Sequence, residues 1–103
     1  MPLASPRYDF HPPTLHGAPD DPGIYALYRG GELVCIGLAL ARGTHDTLRG
    51  CLQEHWDKKQ PAGITHYQWE ISRQPFKARE RYLRVLGRPL SDCTTDPGAA
   101  TPR

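Results

Sequence analysis

The stretch GIYALYRGGELVCIG, residues 23–37, decides the fold of this chain. Two short runs of strand-forming residues alternate with a period of two, and they flank the tetrapeptide RGGE at residues 29–32. The two glycines of this tetrapeptide can adopt positive φ without steric cost, so the pattern predicts a β-hairpin. The sequence leaves two registers open. A two-residue loop places Tyr25 opposite Ile36, whereas a three-residue loop with a bulge places it opposite Cys35.

A helix is predicted after the hairpin, in the stretch DTLRGCLQEHWDKK, residues 46–59. Asp46 is a suitable N-cap, and the two lysines at the other end suit the negative end of the helix dipole. Residues at i, i+3, i+4, i+7 and i+8 form an apolar stripe made of Leu48, Cys51, Leu52, His55 and Trp56. This stripe predicts that one face of the helix packs on the sheet.

A third strand and a second helix complete the predicted order. The stretch ITHYQWEIS, residues 64–72, alternates, and its side with Tyr67 and Trp69 is predicted to be buried. Pro75 begins the second helix, since a missing N–H costs nothing in the first turn, and Gly87 ends it. The sequence therefore predicts an α/β (α+β) fold in the order β-β-α-β-α, with a small three-stranded, mainly antiparallel sheet flanked by helices.

The chain length of 103 residues fits one domain. Residues 1–22 contain six prolines and little periodicity, and residues 88–103 are rich in Pro, Gly, Ala and Thr. Neither stretch has the apolar content to offset the entropy of ordering it, so we predict a Pro-rich N-terminal extension and a flexible C-terminal tail. The folded body is then residues 23–87, which is small enough to gain stability from a dimer contact or a bound partner.

The composition argues against several functional classes. Lys and Arg number 13 against 11 Asp and Glu, and the formal charge of +2 is too small to indicate a nucleic-acid protein by itself. The three cysteines are widely spaced, which predicts neither a disulfide framework nor a zinc site, so we expect a reducing cytoplasm. We expect no membrane span and no secretion signal, because the apolar runs are short and the first residues lack the signal pattern.

A local basic strip lies near the end of the predicted body. Against a single acid, Glu80, residues 73–88 carry six basic residues: Arg73, Lys77, Arg79, Arg81, Arg84 and Arg88. The strip is either a solvated helix face or a surface that contacts nucleic acid.

Two polar side chains interrupt the predicted apolar stripes. Glu80 lies between Phe76 and Leu83 on the second helix, where a carboxylate is costly unless it is paired or binds a cation. It either lies at the edge of the stripe and pairs with Arg84, or ligates a hard divalent ion such as Mg²⁺. His55 on the first helix is either a hydrogen-bonded core residue or a catalytic one.

These features together resemble the GIY-YIG nuclease domain. Residues 23–25 match the GIY tripeptide, and the CIG tripeptide at residues 35–37 stands in the place of YIG. A helix with Arg49 and His55, an aromatic strand and a Pro-initiated helix with Glu80 then follow in the family's order. The resemblance covers nearly the whole predicted body, and it implies hydrolysis of DNA phosphodiester bonds.

The resemblance also implies roles for individual residues. Tyr25 would help to activate water, with Arg49 and His55 as further catalytic residues. Glu80 would hold one divalent ion, Mg or Mn, that neutralises phosphate charge. If DNA binds, the implied phosphate contacts are Arg42, Lys58, Lys59, Arg73 and Lys77.

Two positions depart from the family pattern. Cys35 replaces the tyrosine of YIG, and Cys51 occupies the position of the family's helix arginine, two residues after Arg49. Because two residues turn about 200° around a helix, Arg49 does not simply substitute for that arginine, unless the long loop after the hairpin shifts Arg49 or Arg42 into place. Losing one preorganised charge donor costs a factor of about 10² to 10³ in rate.

Three functions remain open from the sequence. The first is a metal-dependent DNA endonuclease that is active or weakly active. The second is a catalytically degenerate domain that binds nucleic acid or protein, and the third is an interaction protein with no nucleic-acid role. DNA is the expected partner, with specificity supplied by a homodimer or a protein partner. The nuclease hypothesis requires Tyr25 and Glu80 to face one solvent-open hollow.

Overall fold

The computed structural model describes residues 6–42, 46–87 and 90–93, which form five strands and three helices. The strands are β1 (Tyr8–Asp9), β2 (Gly23–Arg29), β3 (Glu32–Ala39), β4 (His66–Ile71) and β5 (Ser91–Asp92). The helices are α1 (Pro12–Leu15), α2 (Leu48–Lys58) and α3 (Pro75–Leu86). The predicted α+β class is confirmed, but the prediction of three strands is wrong, because β1 and β5 extend the sheet at its two edges.

The sheet has the strand order β1-β4-β2-β3-β5. The central strand β2 pairs antiparallel with both β3 and β4, and the short β5 runs parallel to β3. The hairpin register matches neither predicted alternative. Arg29 pairs with Glu32 around a two-residue turn, but a bulge farther along the ladder shifts the pairing by one residue, so that Tyr25 lies opposite Gly37.

Alternate residues of β2 point to opposite faces of the sheet. Tyr25 packs in a core cluster with the buried apolar residues of α1 and α2. Its neighbour Ile24 packs in a second cluster with Ala78 and Tyr82 of α3. The sheet therefore separates α1 and α2 on one face from α3 on the other.

The prediction that residues 1–22 lie outside the folded body is wrong for most of that stretch. Tyr8 pairs with Tyr67 at the edge of β4, and the Phe10 N–H donates to the Thr65 carbonyl at 2.9 Å. Leu15 of α1 is fully buried. The prolines of α1 lie at the start of the helix, where they are tolerated, so the proline count did not prevent these apolar residues from packing.

The C-terminal segment is also attached to the sheet. Cys93 forms a disulfide with Cys35 of β3, and the Cys93 N–H donates to the Ile36 carbonyl at 2.8 Å. The wide spacing of the cysteines was expected to give no disulfide framework, but one disulfide forms, because folding brings together cysteines 58 positions apart. Residues 90–93 of the predicted flexible tail belong to the folded body, and the rest of that tail lies outside the described residues.

Local signals set the bounds of the two longer helices. α3 begins at Pro75 and ends at Gly87, whose φ of 80° is left-handed, as predicted. The predicted N-cap of α2, Asp46, is wrong by one residue. Thr47 is the N-cap, and its hydroxyl accepts a hydrogen bond from the Gly50 N–H at 3.1 Å. None of the described helices has the length and apolar character needed to cross a membrane.

The face of α3 that packs on the sheet matches the predicted stripe only in part, because Leu83 and Leu86 pack against the buried cluster but Phe76 does not. Phe76 was expected to be buried, yet it is 58% exposed. Ala78 and Tyr82, one turn apart, are buried instead. Glu80 is exposed, so its carboxylate does not enter the core.

Candidate functional site

Tyr25 and His55 form a buried hydrogen-bonded pair. The Tyr25 hydroxyl lies 2.7 Å from His55 Nε2, and His55 Nδ1 lies 2.6 Å from the Gln60 carbonyl oxygen. Because a carbonyl only accepts, Nδ1 carries the proton, and in the neutral ring Nε2 is then the acceptor. The Tyr25 O–H therefore donates to His55, which in turn donates to the backbone after α2.

The close approach of β2 and β3 at Gly37 makes room for the Tyr25 ring. A Cβ added at Gly37 would lie 2.1 Å from Tyr25 Cζ and 2.5 Å from the hydroxyl oxygen. Gly23, at the start of β2, is equally constrained, since its Cβ would lie 2.0 Å from the Glu70 carbonyl oxygen of β4. The glycines of the two tripeptides thus serve packing: one allows close pairing with β4, and the other lets the tyrosine lie flat on the neighbouring strand.

Burial controls the protonation of this pair. Desolvation raises the pKa of Tyr25 well above its usual value, and the nearby Cys51, Glu54 and Asp46 raise it further. Desolvation also lowers the pKa of His55 below its usual value, although the Gln60 carbonyl opposes this shift. At neutral pH both groups are uncharged. A neutral imidazole that accepts a hydrogen bond from the Tyr25 hydroxyl is placed as a general base would be. However, Tyr25 is only 2% exposed, so the hydroxyl that the base would activate is buried.

The two cysteines that depart from the family pattern differ in their bonding. Cys35 forms the disulfide with Cys93 and therefore has no free thiol. Cys51 is a free thiol beside Tyr25; its Sγ lies 3.9 Å from the Leu38 carbonyl oxygen and 3.8 Å from Asp46 Oδ1. Burial raises the pKa of Cys51 to about 12, so the thiol is neutral and supplies no positive charge where the family has arginine.

Arg49 does not replace that missing arginine. Its guanidinium Nε donates to the Ala18 carbonyl at 3.1 Å, which holds the side chain toward α1. It lines a surface cavity of about 550 Å³ along α2, together with the carboxylates of Asp20, Glu54 and Asp57. The structure therefore brings Tyr25 and His55 together but directs Arg49 elsewhere.

Glu80 lies on α3, across the sheet from the Tyr25 cluster. It lines a surface cavity of about 360 Å³ with Phe76, Lys77, Arg79 and Leu83, all from α3. The expected common hollow of Tyr25 and Glu80 is therefore not formed, because Tyr25 points into the opposite core. This cavity lining offers one carboxylate beside two cations, and the described residues contain no group of three or more His, Cys, Asp or Glu arranged for a metal. A divalent ion held by Glu80 stays a prediction, and it would lie across the sheet from Tyr25.

Three of the predicted phosphate contacts converge on one groove. Arg42, which follows β3, lines it together with Arg73, which precedes α3, and Lys77, which lies in the first turn of α3. The groove has a volume of about 550 Å³, and its apolar wall consists of Leu40, Pro75 and Phe76. Sequence reasoning identified the cations but missed Phe76, which it assigned to the core. We name this surface the basic groove.

The other two predicted contacts lie elsewhere and have partners of their own. Lys58 Nζ lies 3.1 Å from Glu54 Oε2 on the same helix. Lys59 lies over the Trp56 ring, 4.5 Å from its centroid. Neither lysine lines the basic groove.

Comparison with known proteins adds no assignment to this geometry. No family model matches the chain, and neither a curated protein nor a solved structure matches it. The resemblance to GIY-YIG nucleases therefore depends on the two tripeptides and the order of the elements. Function has to be inferred from the contacts and charges of the chain itself.

Proposed function

We propose that this chain is a catalytically degenerate, GIY-YIG-like domain that binds nucleic acid. The observation that carries the proposal is the basic groove, where Arg42, Arg73 and Lys77 meet beside an exposed aromatic ring. Cations that neutralise phosphates release condensed counterions, and this release supplies most of the sequence-independent affinity for nucleic acid.

The charge of the groove supports this assignment. Among the described residues, its lining contains three cations and no carboxylate. One acid lies close by, since Asp46 pairs with Arg42 at 3.3 Å. Because the Arg42 side chain is 77% exposed, that ion pair is weak, and a phosphate can compete for the guanidinium. The net charge of +2 does not reveal this basic surface, because acidic residues elsewhere in the chain offset its positive charge.

The burial of the Tyr25–His55 pair argues against hydrolysis. A catalytic hydroxyl has to reach water or substrate, whereas Tyr25 is 2% exposed and donates to His55. The arginine position holds the neutral thiol of Cys51, and Glu80 lies across the sheet. Of the charged groups that the resemblance implies, Arg49 is directed to the Ala18 carbonyl and Glu80 lies across the sheet, so neither stabilises charge beside Tyr25.

The DNA endonuclease with Glu80 as its metal ligand fails its own requirement, because Tyr25 and Glu80 lie on opposite faces of the sheet. A hydrolase that does not use Glu80 is the second candidate, because of one observation. The Tyr25–His55 pair, at 2.7 Å, has the geometry of a base and the hydroxyl that it activates. Hydrolysis by this pair would require an opening between α2 and β3 that exposes Tyr25.

A cytoplasmic location and a homodimer or protein partner remain predictions. The Cys35–Cys93 disulfide favours an oxidising compartment.

The proposal is tested by fluorescence anisotropy with labelled oligonucleotides at about 50 and about 200 mM salt. Replacing Arg42, Arg73 and Lys77 with glutamine should weaken binding and lower the slope of log K against log salt by about 2 to 3. The matched control replaces three cations outside the groove with glutamine, Arg49 and Lys58 of α2 and the adjoining Lys59, which changes the net charge equally.

Loss of binding in the groove variant alone supports the proposal. Equal loss in both variants would mean that only net charge matters, and binding by neither the wild type nor the variants would end the proposal. Metal-dependent cutting of plasmid DNA that disappears in Tyr25→Phe would instead establish the hydrolase.

A further inference from the structure

The basic groove contains an apolar ring that the fold does not use. Phe76 lies in the first turn of α3 and is 58% exposed, whereas Ala78 and Tyr82 supply the face that packs on the sheet. An exposed phenylalanine contributes less to stability than a buried one, because less of its apolar area is removed from water. Its one described ring contact is with Arg79, whose guanidinium carbon lies 5.7 Å from the ring centroid. The ring is thus available to a ligand.

We infer that the basic groove binds a single strand of nucleic acid, with a base stacked on Phe76 and the flanking phosphates held by Arg42, Arg73 and Lys77. This inference rests on the proposed function and names its ligand class. Proteins that bind single strands combine cations that follow the backbone with aromatic rings on which bases stack. The groove presents both elements next to each other.

A duplex would use this surface poorly. Its bases are stacked on one another, so their faces cannot reach a ring in a surface groove, and only phosphates would meet the cations. The faces of an unpaired base are free, and every base has one. A volume of about 550 Å³ is within the range of sites that hold small organic ligands, which suits one nucleoside unit.

The walls of the groove fit a stacked base. Leu40 and Pro75 add apolar residues to the lining, and Gln74, also in the lining, carries both a donor and an acceptor that suit base edges. A guanidinium over the Phe76 ring, as Arg79 provides, is compatible with a further layer of stacking. These contacts do not distinguish one base from another, so we expect little sequence preference.

The test compares labelled oligothymidylate of about 12 nucleotides with a hairpin duplex of equal charge, using the full chain. The wild type should bind the single strand more tightly. Phe76→Ala should weaken single-strand binding about 5- to 150-fold and change duplex binding little. Val85→Ala is the matched control, since Val85 is 63% exposed on the same helix outside the groove.

Phe76→Trp provides a second measurement, because it should retain affinity and its added indole fluorescence should be quenched by the stacked base. Equal affinity for duplex and single strand, with Phe76→Ala behaving like Val85→Ala, would overturn the inference while leaving nucleic-acid binding intact. Absence of binding to either probe would overturn the proposed function itself.

Discussion

Gly37→Ala is the substitution that tests the central packing of this domain. The added methyl carbon would lie 2.1 Å from Tyr25 Cζ, far inside van der Waals contact. A flexible side chain would move away at little cost. The Tyr25 ring has no such freedom, because the residue is 2% exposed and its hydroxyl donates to His55.

The cost follows from these two constraints. Forcing a methyl group into a packed core typically costs about 1 to 3 kcal/mol. Displacing the ring also breaks the Tyr25–His55 hydrogen bond, which contributes about 0.5 to 1.5 kcal/mol. We therefore expect the free energy of unfolding to fall by about 2 to 4 kcal/mol, a large fraction of the total for a small domain.

Urea unfolding followed by tryptophan fluorescence measures this loss. Gly31→Ala is the control, since a Cβ at Gly31 meets nothing within 4 Å, and we expect its stability to change by less than about 0.5 kcal/mol. Repeating Gly37→Ala in a Tyr25→Leu background should remove most of the penalty. Equal losses for the two glycines, or full additivity with Tyr25→Leu, would refute the packing argument.

Three further predictions concern stability. Gly23→Ala should destabilise the domain at least as much as Gly37→Ala, because the added Cβ meets the Glu70 carbonyl oxygen. That oxygen belongs to the backbone and cannot move aside as a side chain can. The melting temperatures of the two variants check this prediction. Cys93→Ser should cost about 2 to 4 kcal/mol, since its partner is 58 residues away, and a thiol reductant should then lower the melting temperature of the wild type but not of the variant. The pKa of His55 is lower in the folded protein than in the unfolded chain, so the unfolded chain takes up the proton at a higher pH. The free energy of unfolding should therefore fall as the pH drops below about 6.5. In urea titrations, His55→Gln should make this free energy depend less on pH.

Much of the local structure follows from the sequence. The period-two runs of β2 and β3, the two glycines between them, and the Pro75 and Gly87 limits of α3 are signals read within a few residues. Such signals act directly on the local backbone. Glycine permits positive φ, proline lacks the N–H that a helix interior needs, and alternating side chains face opposite sides of a strand. The pairing of Tyr25 with His55 was not predicted, although both residues had been singled out.

The stripe of α3 shows where a local signal becomes ambiguous. Leu83 of the predicted stripe packs against the same buried cluster as Ala78 and Tyr82, whereas Phe76 is not part of it. Phe76 lies about 120° around the helix from Tyr82 and about 160° from Ala78, and only the sheet face that receives the helix decides which of them is buried. Phe76 is therefore a surface residue for a reason that no short stretch of sequence contains.

The sequence by itself determined the hairpin, the two longer helices and the residue types available for a site. The tertiary structure decided the hairpin bulge, the addition of β1 and β5, the Cys35–Cys93 disulfide and the separation of Tyr25 from Glu80. These features depend on contacts between segments far apart in the chain, whose free energies are settled only when all layers pack together. The same packing leaves Phe76 exposed beside the cations of the basic groove.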